Sequence, residues 1–504
     1  MVRLARCGML VLIALVWPVA TAMGQDVRLD VKEHTLSNGM RMLVVERHHT
    51  PRIACRVFYR VGGANDPEGR TGLAHLFEHM MFRGTRTIGT RDFPSEEKVI
   101  RRIDDLMARI DAARRSAADA DTARLAMLKA HYQRALDRER NLLVTNEMDE
   151  IYSQAGATGL NAYTEPDNTV YMVEIPSNKL ELFLWMDSDR MANAVLREFY
   201  AERDVVQDER RLGHEGSPYG YFYEEFNAVF YTAHPYRRPI VGWEDDVSRV
   251  TRPQAQEFLR THYTPDNATL ILVGDLSAED AFAQAERYFG RIPRAQEPQA
   301  DLVTREPVQH GERRITVEST AYPLVGIAYH TPAFGDADCH ALDVMSGVLN
   351  GKSGRLYRDL VLEKDIALDV SASSDGAKYA GEFSLFAIVK PGHTHEEVEA
   401  ALEAQLDRIS KDPPTDTEMQ RVRNSIEAGF VRGLRSNGGL ADQLGSYDSL
   451  GDWHLLLTEL QQLRAVTSAD VARVAGRYLT KENRTIGWLV QKRPEGPDAG
   501  GDDR

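Results

Sequence analysis

The feature that constrains this chain most is one short stretch, residues 71–84. If the stretch is helical, His75 and His79 lie four residues apart on one face, with Glu78 beside His79. Two imidazoles placed in this way can share one tetrahedral metal ion, and the neighbouring carboxylate is a candidate general base. The order His-x-x-Glu-His is the inverted form of the helical zinc motif. The stretch therefore predicts a metal site on a helix.

The same pattern has a structural alternative, in which the two histidines form a hydrogen-bonded pair inside a protein core. Apolar residues flank the motif and predict a deeply buried helix: Leu73, Leu76, Phe77, Met80, Met81 and Phe82. Buried histidine and glutamate side chains are costly unless they are paired or bind a metal. The predicted burial therefore favours the metal site over the core pair.

A third metal ligand is expected on another element, and Glu209 is the best candidate in the charged run at residues 198–211. Glu202 precedes Glu209 by seven residues, which is two helical turns and the same helix face. One of these carboxylates can bind the metal while the other supports it from outside. The alternative for such a charged run is a solvated helix face.

Two motifs, at residues 75–85 and 202–209, occur in the order typical of one protein family. Three further stretches fit the same family: residues 161–164, 234–242 and 263–275. Together they resemble the pitrilysin/insulysin family of zinc peptidases, which includes the mitochondrial processing peptidase. The resemblance covers most of residues 30–292.

The resemblance implies a role for each candidate site residue. It makes Glu78 the general base and Glu202 a supporting carboxylate of the catalytic site. It implies that one zinc ion per chain is bound by His75, His79 and Glu209. It also implies that a substrate peptide adds as an extra strand to an open sheet edge. The residues expected to help hold that peptide are Asn161, Ala162 and Tyr163.

The resemblance implies an α+β fold of two homologous α/β-sandwich halves, each an antiparallel-rich sheet with helices packed on it, which close as a clamshell. A chain of 504 residues is indeed too long for one core. Overlaying the halves places Leu342, Met345 and Ser346 at the sites of the three motif residues, so the second half is expected to be metal-free. The predicted segments are a signal peptide at 1–24, a peptidase domain at 26–292, a linker at 293–312, the second domain at 313–492 and a disordered tail at 493–504.

Residues 94–150 predict a helical hairpin inserted into the first half, with Ser95 as the cap of its first helix. The segment 116–122 is small and polar enough to turn the chain. The insertion accounts for a spacing between His79 and Glu209 that is longer than usual in the family. Two roles are open for the insertion: a peripheral element on the rim without a function of its own, or a gate for a partner or substrate.

Catalytic members of the family carry an arginine and, seven residues later, a tyrosine in the C-terminal half, where they stabilise the carbonyl oxygen. Aligning this chain places Val361 and Leu368 at those positions, and neither side chain can donate a hydrogen bond. The resemblance therefore implies a dimer, and in a heterodimer a homologous subunit would supply the pair. The alternatives are that Arg355 or Tyr357 substitutes, or that zinc and Glu78 suffice.

Charge and the N-terminus bear on partners and compartment. The formal net charge of −15 argues against a nucleic-acid-binding surface. Arg3 and Arg6, followed by an apolar run and small residues, have the anatomy of a secretory signal peptide, with an uncleaved anchor as the alternative. No second segment reads as long and apolar enough to cross a membrane. We therefore expect a periplasmic or secreted protein without a stable membrane span.

These observations predict a secreted zinc metalloendopeptidase that hydrolyses peptides or extended protein segments. The main alternative is a non-catalytic assembly or chaperone-like subunit of a peptidase complex, although such subunits typically lose motif residues that this chain keeps. A scaffold protein built on the helical hairpin would leave the buried histidine and glutamate cluster unexplained.

Overall fold

The structure is a computed structural model, and it describes residues 29–115, 122–214, 216–297 and 299–492. The predicted signal peptide, the turn of the helical hairpin up to residue 121 and the predicted tail lie outside these ranges. Within the described residues, none of the helices combines the length and the apolar character that a membrane crossing requires.

The first half consists of one sheet and of helices that lie between its strands in the chain. Its strands are β1 (Val31–Thr35), β2 (Arg41–Glu46), β3 (Arg52–Tyr59), β4 (Thr158–Thr164), β5 (Thr169–Pro176) and β6 (Ala268–Gly274). Its helices are α1 (Leu73–Met80), α2 (Phe93–Arg115), α3 (Thr122–Arg140), α4 (Glu147–Gln154), α5 (Leu180–Asn193), α6 (Phe199–His214), α7 (Gly220–Phe230), α8 (Glu244–Arg249), α9 (Arg252–His262) and α10 (Ala278–Tyr288).

The second half repeats this organisation. Its strands are β7 (Arg313–Ser319), β8 (Leu324–Thr331), β9 (Ala367–Gly376), β10 (Gly381–Val389) and β11 (Arg484–Gln491). Its helices are α11 (Ala337–Leu349), α12 (His395–Lys411), α13 (Asp416–Arg435), α14 (Asn437–Leu450), α15 (Leu455–Ala465) and α16 (Ser468–Tyr478), with a π-helical segment at Tyr357–Glu363.

The second sheet repeats the topology of the first without the edge strand β1. The first sheet has the order β1-β2-β6-β3-β5-β4, and the second has β7-β11-β8-β10-β9. In both, the pair β2 with β6, or β7 with β11, is parallel and the neighbouring pairs are antiparallel. The fold is therefore α+β, with two similar halves. Helix α11 follows β8 as α1 follows β3, and in α11 the apolar Leu342 and Met345 are buried in the core.

Local sequence explains how two of these elements begin. Asn38 and Gly39 form the turn between β1 and β2, where Gly39 has a φ of 92° that favours glycine. The cap predicted for the long helix was wrong by one turn. Helix α2 begins at Phe93, and the carboxylate of Asp92 accepts a hydrogen bond from the backbone N–H of Ser95. Aspartate serves as well as serine in this role.

The α2 and α3 helices are joined to the core of the first half. The inward side chains of α2 include Ile103, Leu106 and Ile110, and they pack in the same cluster as α1. A buried ion pair links Glu96 of α2 to Arg197, with Nε and Oε1 2.6 Å apart. The base of this hairpin is therefore part of the hydrophobic core.

Each half also lends one helix to the sheet of the other half. Alternate residues of β3 point to opposite faces, so Cys55 packs towards α1 whereas Ala54 and Phe58 pack against α14. Gly445 of α14 lies so close that an added Cβ would be 1.9 Å from the Phe58 ring. In the same way, the phenylalanines of α7 cover the outer face of the second sheet: Phe222, Phe226 and Phe230.

Charged side chains reinforce the contact of α14 with the first sheet. Arg56 of β3 donates from Nε to the carboxylate of Asp442 across 2.6 Å. Asp448 is buried and accepts hydrogen bonds from Arg60 at 2.9 Å, from Thr269 at 2.6 Å and from Arg41. Removing one partner of such a buried pair leaves an uncompensated charge, so these pairs tie the two halves together.

A histidine cluster lies where α7 meets the second sheet. His330 of β8 stacks on Phe230 with ring centroids 4.0 Å apart, and its Nε2 donates to the Phe230 carbonyl across 3.1 Å. His234 is fully buried nearby. The interdomain segment is anchored here, because the carboxylate of Glu306 accepts the backbone N–H groups of residues 232–234.

The histidine cluster predicts a loss of stability in acid. Burial lowers the pKa of both His234 and His330 from the ordinary value of 6.5 to about 4. Between pH 6.5 and about pH 4, these two histidines therefore bind protons in the unfolded chain but not in the folded chain. We expect the stability to be intact above pH 6.5 and to fall as the pH drops from 6.5 towards 4, measured as the urea midpoint.

The variant His330→Phe tests the assignment, because a phenyl ring keeps the stacking on Phe230 and cannot be protonated. It should show a shallower fall of the midpoint with pH. The matched control is His310→Gln, which changes an exposed histidine of the same interdomain segment and should keep the parent slope. Equal slopes in His330→Phe and the parent protein would contradict the prediction.

Candidate metal centre

The helix that carries the His-x-x-Glu-His motif, α1, is held at both ends. At its start, the buried carboxylate of Asp66 accepts the N–H of Gly72 across 2.6 Å and that of Ala74 across 2.9 Å. Near its end, the hydroxyl of Tyr171 donates to the carbonyl of Phe77 across 2.9 Å. These contacts satisfy backbone groups that a short buried helix leaves open, and they fix the direction in which the motif side chains point.

The structure brings the three predicted metal ligands together. Nε2 of His75 lies 3.6 Å from one oxygen of Glu209, and Nε2 of His79 lies 3.3 Å from the other. One donor atom from each of the three residues lies within 4.8 Å of the others. In the part of the chain that the structure describes, no second group of three histidine, cysteine or carboxylate side chains converges in this way.

These separations fit a tetrahedral zinc ion. Bonds of about 2.0–2.1 Å at a tetrahedral angle place two donor atoms about 3.3 Å apart. Burial also lowers the pKa of His75, which favours the neutral imidazole that a metal requires. The donor set of two imidazoles and one carboxylate is one that catalytic zinc uses.

Glu202 lies behind His79 rather than among the ligands. Its Oε1 is 2.9 Å from Nδ1 of His79, and its other oxygen is paired with Arg83. A proton on Nδ1 leaves the Nε2 lone pair directed towards Glu209. This hydrogen bond raises the pKa of His79. Burial by itself would raise the pKa of Glu202, but the hydrogen bonds from His79 and Arg83 hold this pKa below the usual range.

Glu78 faces a cavity of 430 Å³ whose wall also includes His79, Glu202 and Asn161. The hydroxyl of Thr164 donates to Oε2 of Glu78 across 2.8 Å, which leaves Oε1 without that contact. The cavity therefore places a carboxylate next to the predicted metal ligands.

The predicted substrate-binding residues lie on β4, which is the last strand of its sheet and has one unpaired edge in the described structure. Asn161 is exposed and lines the cavity, whereas Ala162 is buried towards α1. Tyr163 lies on the face of β4 opposite to Ala162, where it packs in the hydrophobic cluster that includes α14. An unpaired edge can receive an extended peptide.

The segment aligned with the missing Arg/Tyr pair belongs to the second half. Val361 packs against the second core and Leu368 is exposed. Arg355 is held by Glu418, with Nε and Nη2 at 2.7 and 2.8 Å from its two oxygens. The guanidinium of Arg355 is therefore already engaged within the second half.

Three residues around the site were not singled out by the sequence: Asp66, Arg83 and Thr164. Arg83 follows His79 by one helical turn, so a search of that face for a basic residue would have found it. Asp66 and Thr164 reach α1 from a loop and a separate strand. Thr164 belongs to the family-like stretch 161–164, but no local pattern predicts the contact of either residue with α1.

Two parts of the chain match domains of one known peptidase family. Residues 41–115 match the family described as insulinase, peptidase family M16, and residues 249–426 match the domain described as the peptidase M16 inactive domain. The two matches together cover half of the chain. The chain belongs to peptidase family M16.

Relatives within family M16 extend over nearly the whole chain. A protein named zinc protease PqqE from Helicobacter pylori is 26% identical, and the match covers 90% of this chain and 91% of that protein. A probable mitochondrial-processing peptidase subunit beta from Arabidopsis thaliana is 21% identical, with 92% of this chain and 80% of that protein covered.

Solved structures of M16 proteins share the fold. A protease from Helicobacter pylori has a TM-score of 0.78 at 25% identity, covering 92% of this chain and all of the other. The periplasmic protease PqqL from Escherichia coli has a TM-score of 0.68 at 17% identity. That match covers 92% of this chain but only 48% of PqqL, so PqqL is about twice as long.

The cap of α1 yields a stability prediction. Asp66→Ala should lower the free energy of unfolding by about 1–2 kcal/mol, because two buried N–H groups lose their acceptor. The measurement is urea denaturation of the purified chain. The control is Glu68→Ala, an exposed carboxylate on the same loop that pairs with Arg238 and should change stability by less than about 0.5 kcal/mol. Equal losses in the two variants would show that Asp66 is not the cap that holds α1.

Proposed function

We propose that this M16 protein is a secreted or periplasmic zinc metalloendopeptidase that hydrolyses peptides or extended protein segments. The observation that carries the proposal is the convergence of donor atoms of His75, His79 and Glu209 within 4.8 Å, together with a cavity that is lined by both His79 and Glu78. In the proposal these three residues bind one zinc ion, and Glu202 positions His79 through Nδ1.

The chemistry follows from the groups around the cavity. A zinc ion held by these residues would supply a Lewis acid that polarises the scissile carbonyl and lowers the pKa of water towards neutral. Glu78 takes the proton of the attacking water and passes it to the leaving amine. The hydroxyl of Thr164 holds Oε2 of Glu78, so Oε1 is the oxygen that carries the proton. The free edge of β4 holds the substrate in an extended conformation, with Asn161 facing the cavity.

The alternative function is a non-catalytic assembly or chaperone-like subunit. The match of residues 249–426 to a domain described as inactive keeps this alternative open. The intact constellation in the first half favours the enzyme, because a chain without catalysis has no need for a general base beside three metal ligands. Zinc analysis together with peptide turnover separates the two functions.

The roles of base and ligand predict different effects of mutation. Glu78→Gln should keep stoichiometric zinc and lose about a thousandfold in turnover of a quenched-fluorescence peptide, because the proton acceptor is lost. Glu209→Gln should lose both zinc and turnover, because one of the three ligands is weakened. Zinc is measured by atomic absorption on the dialysed protein.

The matched control is Asp208→Asn, which makes the same type of change next to Glu209 at a carboxylate that pairs with Arg211 on the surface of α6. It should retain zinc and turnover. Near-normal turnover in Glu78→Gln would exclude the proposed mechanism, and a metal-free but active parent protein would exclude the proposed cofactor.

We also propose that full activity requires a second, homologous subunit that supplies the Arg/Tyr pair. Val361 and Leu368 cannot donate hydrogen bonds, and Arg355 is held by Glu418. The greater length of PqqL, of which this chain spans 48%, is consistent with an assembly of two such chains.

The isolated, zinc-loaded chain should therefore be slower than the assembly by about two to three orders of magnitude, because one oxyanion donor is worth that much. The measurement compares kcat/KM of the purified chain with and without a co-expressed homologous subunit that carries the pair. Light scattering reports the mass of each sample. Full activity in a monomeric sample would contradict the requirement for a partner.

A further inference from the structure

A second cavity, of 360 Å³, lies entirely in the second half. It is bounded by α11, α14 and α15 and by the segments that follow β8 and end β9. None of its lining residues lines the cavity at the candidate metal centre. Its volume is within the range of pockets that bind small organic groups.

The lining of this second cavity is acidic. Asp343 and Glu459 line it, and none of the described residues around it is a lysine or an arginine. The carboxylate of Asp343 accepts a hydrogen bond from Ser374. In the described part of the chain, no lysine or arginine forms an ion pair with Asp343. Burial raises the pKa of Asp343 to about 6, although Ser374 and the neighbouring His340 act in the opposite direction.

The second carboxylate is better satisfied. Nε2 of His340 lies 3.3 Å from Glu459, and the hydroxyl of Tyr447 also bonds to Glu459. A carboxylate offers about four acceptor positions. Asp343 is therefore the group in this cavity with the most capacity left for a cationic donor.

The rest of the wall is apolar and aromatic. The rings of Phe334 and Tyr447 meet edge to face with centroids 5.2 Å apart. Leu342, Leu450 and Leu455 line the cavity as well. Aromatic faces attract ammonium and guanidinium groups, and the leucines suit an aliphatic chain attached to them.

These features exclude other ligand classes. Two carboxylates disfavour an anion. A neutral apolar ligand would further desolvate Asp343 without compensating its charge. The donor atoms of His340, Asp343 and Glu459 do not converge as those of the metal centre do, so a metal ion would lack a preformed ligand set.

We infer that the second cavity binds an alkylammonium or alkylguanidinium group, with the cation at Asp343 and the alkyl chain against the leucines. Two sources share this chemistry: a lysine or arginine side chain of a peptide, and a free small amine. The first source rests on the proposed peptidase function, because the cavity would then hold a part of the substrate away from the cleaved bond.

Binding of agmatine to the purified full-length chain, measured by calorimetry, tests the site without any peptidase assay. Asp343→Asn should weaken binding about tenfold or more, because a charged hydrogen bond is lost while the shape is kept. Thr458→Arg should also abolish binding, because it places a tethered guanidinium at the exposed rim of the cavity while both carboxylates remain.

The control variant is Asp407→Asn, which removes the same charge from an exposed position of the second half and should bind agmatine like the parent. 1-Butanol serves as an uncharged probe and should not bind. No agmatine binding by the parent protein, or equal binding by all three variants, would overturn the inference.

A pair of peptide substrates separates the two sources. One peptide carries lysine several residues from the cleaved bond and the other carries norleucine there. A lower KM for the lysine peptide, with the difference lost in Asp343→Asn, assigns the cavity to the substrate. Agmatine binding without any difference in KM assigns it to a free amine. Absence of turnover for both peptides, with agmatine still bound, would count against the proposed function alone.

Discussion

The exchange of helices between the two halves is the contact on which the rest of the structure depends. Each sheet has two apolar faces, and its own helices cover only one of them. The other face of the first sheet is covered by α14, and that of the second sheet by α7. Since β3 and β6 are buried almost throughout and mostly apolar, the first half could not leave this surface in water without a large loss of hydrophobic stabilisation. The halves are therefore expected to fold as one unit, and the buried carboxylate of Asp448 fixes how they meet.

The candidate metal centre uses this rigid frame to hold polar groups whose burial would otherwise be costly. Helix α1 is buried, yet it carries two imidazoles and a carboxylate. The cost is offset by a chain of contacts in which Glu209 faces both Nε2 atoms, Glu202 bonds to His79, and Arg83 pairs with Glu202. Each member compensates its neighbour, so the site is preorganised by its second layer of residues as well as by the three predicted ligands.

The two halves show how one topology carries different chemistry. Helix α11 occupies the position of α1 in the repeat, but Leu342 and Met345 fill its core side. Its ionisable residues His340 and Asp343 lie instead beside a separate cavity, which Glu459 of α15 also lines. The repeat therefore explains the common scaffold, whereas function depends on the side chains that each copy has kept or changed.

The sequence by itself determined the elements whose signals are local. The His-x-x-Glu-His spacing placed two imidazoles on one helix face, the Asn-Gly turn defined β1 and β2, and the seven-residue spacing aligned Glu202 with Glu209. Family resemblance added the two-halved α+β fold. Only the tertiary structure decided which carboxylate faces both Nε2 atoms, that Thr164 bonds to Glu78, and that Tyr163 points away from the cavity. It also revealed that α7 and α14 each cover the sheet of the other half. These features depend on contacts between residues far apart in the chain, and periodicity reports only which face of an element is buried, not what lies against it.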